Sequence, residues 1–420
     1  MSHDTEPDQA RWLVPSPRTE VAAEPTRSPA DRVRPEVVAE IDRLAASGLD
    51  VELCRPRPRF LLPEGKQATV DRALAEQVAR PDFVDWLFDP GVHPSGRAWS
   101  RVAKRAIALH TLHHVGTMAT PASGLDPSVY DQPLFDEGTR SARDLIAHEN
   151  PRKVRRILGR YDKFFAGGSL DDGEDSYGLT SRDYLVGVVD SHAVRTRGDA
   201  ATYLIRRHLW QRDDNAARML SVGCGAAAPL FELADELEGE GFDLSRLAFV
   251  DHDPIALASV VGYARGIHRA DRVAVHRKNF LKTPMTRYVA PRSVDVVDLI
   301  GLFEHIPRSR YGFRLAARLL AAAGAVAKPG GVIVLANMLA HRPQQEFFDS
   351  VWPRLQQRTI TETLAVIAEA GFDAKSVTVR VPEAEGVYAV YAIRTPKVLR
   401  PDSVWQRALG AALMFRWPEY

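Results

Sequence analysis

The chain has 420 residues, 45% hydrophobic and 26% charged, enough for two or three domains at roughly 100–200 residues each and too much for one small module. Lysine and arginine number 55 against 54 aspartates and glutamates, and the resulting net charge of +1 argues against a general nucleic-acid or membrane-surface binder, whose affinity rests on excess positive charge. The 2 cysteines, Cys54 and Cys224, lie far apart and exclude both a disulfide framework and a zinc cluster.

Residues 1–35 are rich in Pro, Arg, Glu and Ala without sustained periodicity and read as a disordered arm. The N-terminus is polar and acidic, with no apolar signal region, and no apolar run reaches the roughly 18 residues of a membrane helix. The expectation is a cytoplasmic protein that engages neither membrane nor nucleic acid. Residues 36–180 read as a mainly helical cap domain. Val70, Leu74 and Val78 recur at helical spacing before Pro81, and Trp99, Val102, Ala106, Leu109 and His113 form a second stripe. His110, His113 and His114 have metal-like spacing, but no nearby acid completes a set, so no metal is expected.

Helical spacing returns from Ser181 to Trp210, and the texture changes near Arg218. Short strand-like runs at 219–222, 247–250, 294–300 and 331–336 alternate with helical stretches at 229–238, 254–266 and 313–327. Alternation of this kind means crossover connections and a mostly parallel sheet covered on both faces. A helix at 360–370 and two β-rich runs at 376–381 and 386–393 follow, the runs spaced for an antiparallel hairpin. The sheet domain spans 181–395, and 396–420 reads as a helical tail.

The most informative segment runs from Leu220 through Ser221, Val222, Gly223, Cys224 and Gly225 to Pro229, a strand entering two glycines and then a helix. Small residues let a ligand approach the backbone, and the helix N-terminus offers unpaired N–H groups. Asp251 directly follows the second strand, where an acid can accept both hydroxyls of a ribose lying across the strand ends. Asp253, before Pro254, suits a helix cap instead.

These residues carry a family resemblance. Ser221-Val222-Gly223-Cys224-Gly225, Val250-Asp251-His252-Asp253-Pro254, Asn279-Phe280, Leu302-Phe303-Glu304-His305-Ile306 and Lys328-Pro329-Gly330-Gly331 stand in the order found in Rossmann-like, class I S-adenosylmethionine-dependent methyltransferases. The resemblance implies a mostly parallel seven-stranded sheet ending in an antiparallel hairpin, with S-adenosyl-L-methionine as cofactor. It implies that Gly223, Cys224 and Gly225 pass under the methionine part, that Asp251 holds the ribose and that His252 lies against the adenine. Asn279 and Phe280 take the adenine edge, and Ile300 and Gly301 end the fourth strand beside the sulfonium. Ser221 stands where the family often has an acid that helps hold the cofactor's ammonium, and Ala227 replaces a third glycine.

For the reaction, Glu304 and His305 are the candidates for a catalytic base, set against a purely structural role at the strand end. Arg197 suits the cofactor's carboxylate, or else a surface salt bridge, while Arg195 and Tyr184 are placed for substrate. The function expected is methyl transfer to a small-molecule acceptor, a specialised metabolite or amino-acid derivative. The alternative is S-adenosylmethionine-dependent cyclisation or aminocarboxypropyl transfer releasing 5′-methylthioadenosine, which Ser221 motivates. A non-catalytic scaffold is the third reading, and a homodimer is compatible with all of them.

Overall fold

A computed structural model describes residues 33–55, 64–78, 177–179, 183, 187, 189–225, 227–251, 257, 260, 261, 264, 270–281, 283, 285–340, 342–345, 355–383 and 385–396. The arm to residue 32, the stripe from Trp99 to His113, His110, His114, Tyr184, His252, Asp253 and the tail beyond 396 lie outside the described residues, as does the side chain of Arg195.

Eight strands form one sheet. They are β1 (Asp50–Cys54), β2 (Ala216–Val222), β3 (Asp243–Asp251), β4 (Val273–Arg277), β5 (Val294–Leu299), β6 (Ala327–Met338), β7 (Val377–Pro382) and β8 (Tyr388–Arg394). The spatial order is β1-β7-β8-β6-β5-β2-β3-β4. All neighbours are parallel except β8, which runs antiparallel to both β6 and β7. The mostly parallel sheet with a terminal hairpin is therefore present as read from the sequence, and the seventh strand implied by the resemblance is β4. β4 is a short edge strand whose Ala274 and Val275 face solvent, so burial imprints no pattern on it.

The eighth strand, β1, lies in the segment expected to be helical cap. Its register sets Asp50 opposite Thr378 and Glu52 opposite Arg380, and the Arg380 guanidinium reaches Asp50 at 2.8 Å. Arg380 is 3% exposed, so these two exposed carboxylates cover a charge that the sheet would otherwise bury unpaired.

There are six α-helices among the described residues. They are α1 (Pro35–Ala46), α2 (Glu64–Val78), α3 (Val189–Trp210), α4 (Ala228–Gly239), α5 (Arg310–Val326) and α6 (Ile360–Glu369). On one face Ala201 and Leu204 of α3 and Phe231 and Ala234 of α4 pack on Met219, Phe249, Val296 and Val334. On the other, Ile41 of α1, Leu320 and Ala323 of α5 and Ile367 of α6 pack on Leu220, Val297, Leu299 and Tyr391. Each fully buried large apolar side chain contributes roughly 1.5–3 kcal/mol. The capping box of Thr359 and Glu362 starts α6, and Ser309 caps α5 by accepting from Gly312 N–H at 3.1 Å.

The described cap helix, α2, is tied to the sheet domain by polar contacts. Gln67 donates to the Gly187 carbonyl at 2.8 Å, Lys66 pairs with Asp183 at 2.9 Å, and Gln344 donates to Asp71 at 2.6 Å. Gln344 also accepts from Val189 N–H at the start of α3 at 3.0 Å. Three segments far apart in sequence thereby meet beside the start of α3.

Candidate functional site

β2 is the strand from which the chain departs in both directions, to β3 and β4 on one side and β5 and β6 on the other. In a doubly wound sheet the crevice at such a reversal, outside the carboxyl ends of the strands, is where ligands bind. The residues singled out from the sequence cluster there. Because side chains alternate along a strand, Ser221, Asp251 and Asp298 point to the same face as Met219, Phe249 and Val296, the face under α3 and α4.

The loop leaving β2 holds Gly223 at φ +66°, Gly225 at +52° and Ala227 at +54°, three left-handed positions within five residues. Gly223 N–H donates to the Val250 carbonyl at 2.7 Å, which fastens the loop to β3. Glycine at 223 has a reason the sequence does not reveal. A Cβ there would stand 2.1 Å from Leu302 Cδ2, so the neighbour that approaches this backbone is a side chain of the protein itself. The loop's other side meets α3, where a Cβ on Gly198 would stand 3.1 Å from Pro229 Cγ. Cys224 lies half-buried on the loop and forms no disulfide.

Asp251, 6% exposed, accepts from Gly225 N–H through Oδ2 at 3.2 Å, so the strand-tip acid and the glycine loop hold each other. Its own carbonyl accepts from Lys278 N–H at 2.9 Å, which brings the corner after β4 alongside. On that corner Asn279 is exposed, and its side-chain carbonyl accepts from Leu281 N–H at 3.1 Å. Phe280 packs against the apolar core, a second role beside the ligand-facing one expected of it.

Ser221 has a partner that no local pattern announces. It lies directly opposite Asp298 in the β2–β5 ladder, and its hydroxyl donates to Asp298 Oδ2 at 2.6 Å. Asp298 Oδ1 accepts from Ile300 N–H at 2.9 Å. Burial pushes the Asp298 carboxyl up to about 6, opposed by the Ser221 and Ile300 hydrogen bonds and by the Arg197 charge. The available signal was an acid inside the otherwise apolar run from Val296 to Ile300, on the strand expected beside β2.

Arg197 reaches the same end of the sheet from α3. Its Nη1 donates to Glu304 Oε1 at 2.7 Å, its guanidinium lies 4.5 Å from the centre of the Tyr388 ring, and a Cβ on Gly301 would meet its Nη2 at 3.5 Å. Gly301 adopts φ +84°, a left-handed backbone that favours glycine, next to Arg197 and half-buried Ile300. Two buried atoms of the Arg197–Glu304 ion pair, Arg197 Nε and Glu304 Oε2, have no hydrogen-bond partner among the described residues. Glu304 sits on the one-turn helix Phe303–His305, which Arg358 clamps by donating to the Phe303 and Ile306 carbonyls, each at 2.6 Å. His305 on the same turn is exposed. Of the two base candidates, one is thus engaged with an arginine and the other faces solvent.

Among the described residues no group of three or more His, Cys, Asp or Glu is placed to hold a metal, and no helix is long and apolar enough to cross a membrane. No family model matches the chain, and no curated protein does. Solved structures that align with it include one described as a possible exported protein from Bordetella parapertussis, 20% identical over 65% of this chain and 100% of that one, with a TM-score of 0.43. An O-methyltransferase family protein from Burkholderia thailandensis is 14% identical over 86% of this chain and 99% of that one, at 0.41. The CurJ carbon methyltransferase is 12% identical over 88% of this chain and 100% of that one, also at 0.41. Likenesses this slight add nothing to the strand order already described.

Proposed function

The chain has the Rossmann-like fold of the class I S-adenosylmethionine-dependent methyltransferases, and from that premise we propose that it transfers a methyl group from S-adenosyl-L-methionine to a small-molecule acceptor. The observation that carries the reading is the mutual hold of Asp251 and Gly225 at the crevice where the sheet reverses. A carboxylate fixed at that strand tip suits two vicinal hydroxyls, and the loop beside it suits an extended amino-acid arm. Arg197, whose Nε is buried without a partner among the described residues, is the donor we assign to the carboxylate of that arm.

When bound, the cofactor supplies an electrophilic methyl on sulfur. The protein's part is then to hold the acceptor in line with that methyl and to exclude water, and such positioning supplies most of the acceleration. If the acceptor must lose a proton, Glu304 is the better placed of the two base candidates. Its Oε2 is buried without a hydrogen-bond partner among the described residues, whereas His305 lies at the surface. The acceptor class we favour is a specialised metabolite or amino-acid derivative, reached from the α2 side.

Incubation with methyl-labelled S-adenosylmethionine and a panel of phenolic, amine and carbon-acid acceptors tests the proposal. The expected result is labelled product together with S-adenosylhomocysteine. Release of 5′-methylthioadenosine without methyl transfer would sink it and establish the cyclisation or aminocarboxypropyl chemistry instead.

A further inference from the structure

Asp298 is a buried carboxylate whose two hydrogen-bond donors are both neutral. The Ser221 hydroxyl donates to Oδ2 and Ile300 N–H to Oδ1. The Arg197 charge acts on it, yet the hydrogen bond of that guanidinium goes to Glu304. Keeping a charge in such a place costs several kcal/mol unless something of opposite sign comes to meet it. A carboxylate also offers about four acceptor positions, of which these two bonds take two.

We propose that Asp298 is the anionic partner of the cofactor's ammonium group, supplying from β5 the carboxylate that β2 lacks at Ser221. The assignment rests on the reading of the crevice given above. Ser221 then has a positive role: its hydroxyl fixes the rotamer of the acid opposite it in the ladder. With Arg197 beside Gly301 and Asp298 bonded to Ile300, the end of β5 presents one cation and one anion. That is the complement of an α-amino acid zwitterion, with its carboxylate toward Arg197 and its ammonium toward Asp298.

Two commercial nucleosides separate this from a structural role. S-adenosylhomocysteine carries the zwitterion, and 5′-methylthioadenosine keeps the adenosine and thioether without it. Calorimetric titration of the full chain should give Asp298→Asn at least a tenfold loss of S-adenosylhomocysteine affinity and no more than a twofold change for 5′-methylthioadenosine. The exchange variant Ser221→Asp with Asp298→Ser, which returns the acid to β2, should recover most of the loss. Equal loss for both ligands, or no loss for either, overturns the assignment. A wild-type chain that binds neither nucleoside fails at the earlier step, the placement of the cofactor itself.

Should Asp298→Asn not fold, the wild-type pH profile carries the test. The groups acting on Asp298 are Ser221 on β2, Ile300 N–H and the Arg197 charge from α3, and Arg197 in turn interacts with Glu304 after β5 and Tyr388 on β8. S-adenosylhomocysteine affinity should fall as pH drops below about 6 while that of 5′-methylthioadenosine stays level, because protonation removes the anion only the first ligand uses. Parallel profiles for the two ligands reject the assignment.

Discussion

At the scale of single residues, Asp251 joins two jobs that the sequence suggests only one at a time. Its carboxylate accepts from the loop through Gly225 N–H and, in the proposed complex, from the ribose hydroxyls. Charge-assisted bonds of this kind are each worth roughly 1.5–3 kcal/mol, and loss of one already lowers affinity about tenfold. Asp251→Ala should therefore weaken binding of both S-adenosylhomocysteine and 5′-methylthioadenosine by tenfold or more, since both carry the ribose. That pattern differs from the Asp298 variants, which should spare the second ligand. Titrations of the same protein with the two nucleosides distinguish them, and unchanged binding of both would refute the cofactor placement. The residue lies at the end of β3, outside the packed centre of the sheet, so the fold should survive the change.

Between elements, a close contact at the site is that of the β2 loop with the segment after β5. Leu302 sits over Gly223 so closely that Gly223→Ala would place a methyl 2.1 Å from Leu302 Cδ2, on a backbone already at φ +66°. Overpacking costs about 1–3 kcal/mol, and a left-handed non-glycine residue adds about 1 kcal/mol or more. Denaturant titration should show a loss of about 2–4 kcal/mol for Gly223→Ala. Combining it with Leu302→Ala removes the clash but not the torsional strain, so the double variant should lose less than the sum of the two single changes. Strict additivity would mean that the two residues do not meet. The contact also explains why the pattern of glycines is an ambiguous guide to ligands: space at a glycine is taken by whatever approaches first, here a leucine from the neighbouring strand's exit.

For the molecule as a whole, two buried groups give stability opposing dependences on pH. Asp298 has a folded value of about 6 against an ordinary 3.8, so the folded state binds the extra proton between those values. Stability from this group therefore rises as pH falls through that interval, by about 3 kcal/mol in all. His208, 8% exposed, is lowered by burial, with the Arg394 and Arg212 charges adding to the effect, to about 4 from 6.5. Here the unfolded chain binds the extra proton, and stability falls on acidification by a similar amount, about 3 kcal/mol. The two contributions nearly cancel between pH 6.5 and 4. Urea titrations across that range should show the stability of Asp298→Asn declining more steeply toward acid than that of wild type. His208→Gln should decline less steeply than wild type. Identical profiles for the three proteins would show that neither group is linked to folding. Apart from β4, the strands from β2 to β6, the glycine loop and the acid at the end of β3 were legible in the sequence, because hydrophobic period, turn residues and strand ends are written within a few neighbouring residues. Three features were not. The Ser221–Asp298 pair joins residues 77 apart, β1 meets β7 across 328 residues between Asp50 and Thr378, and Leu302 over Gly223 belongs to two different strand exits. Which strand lies beside which is set by how the crossovers bury both faces of the sheet, and only that order decides whether a serine next to a glycine loop stands alone or has an acid across the ladder.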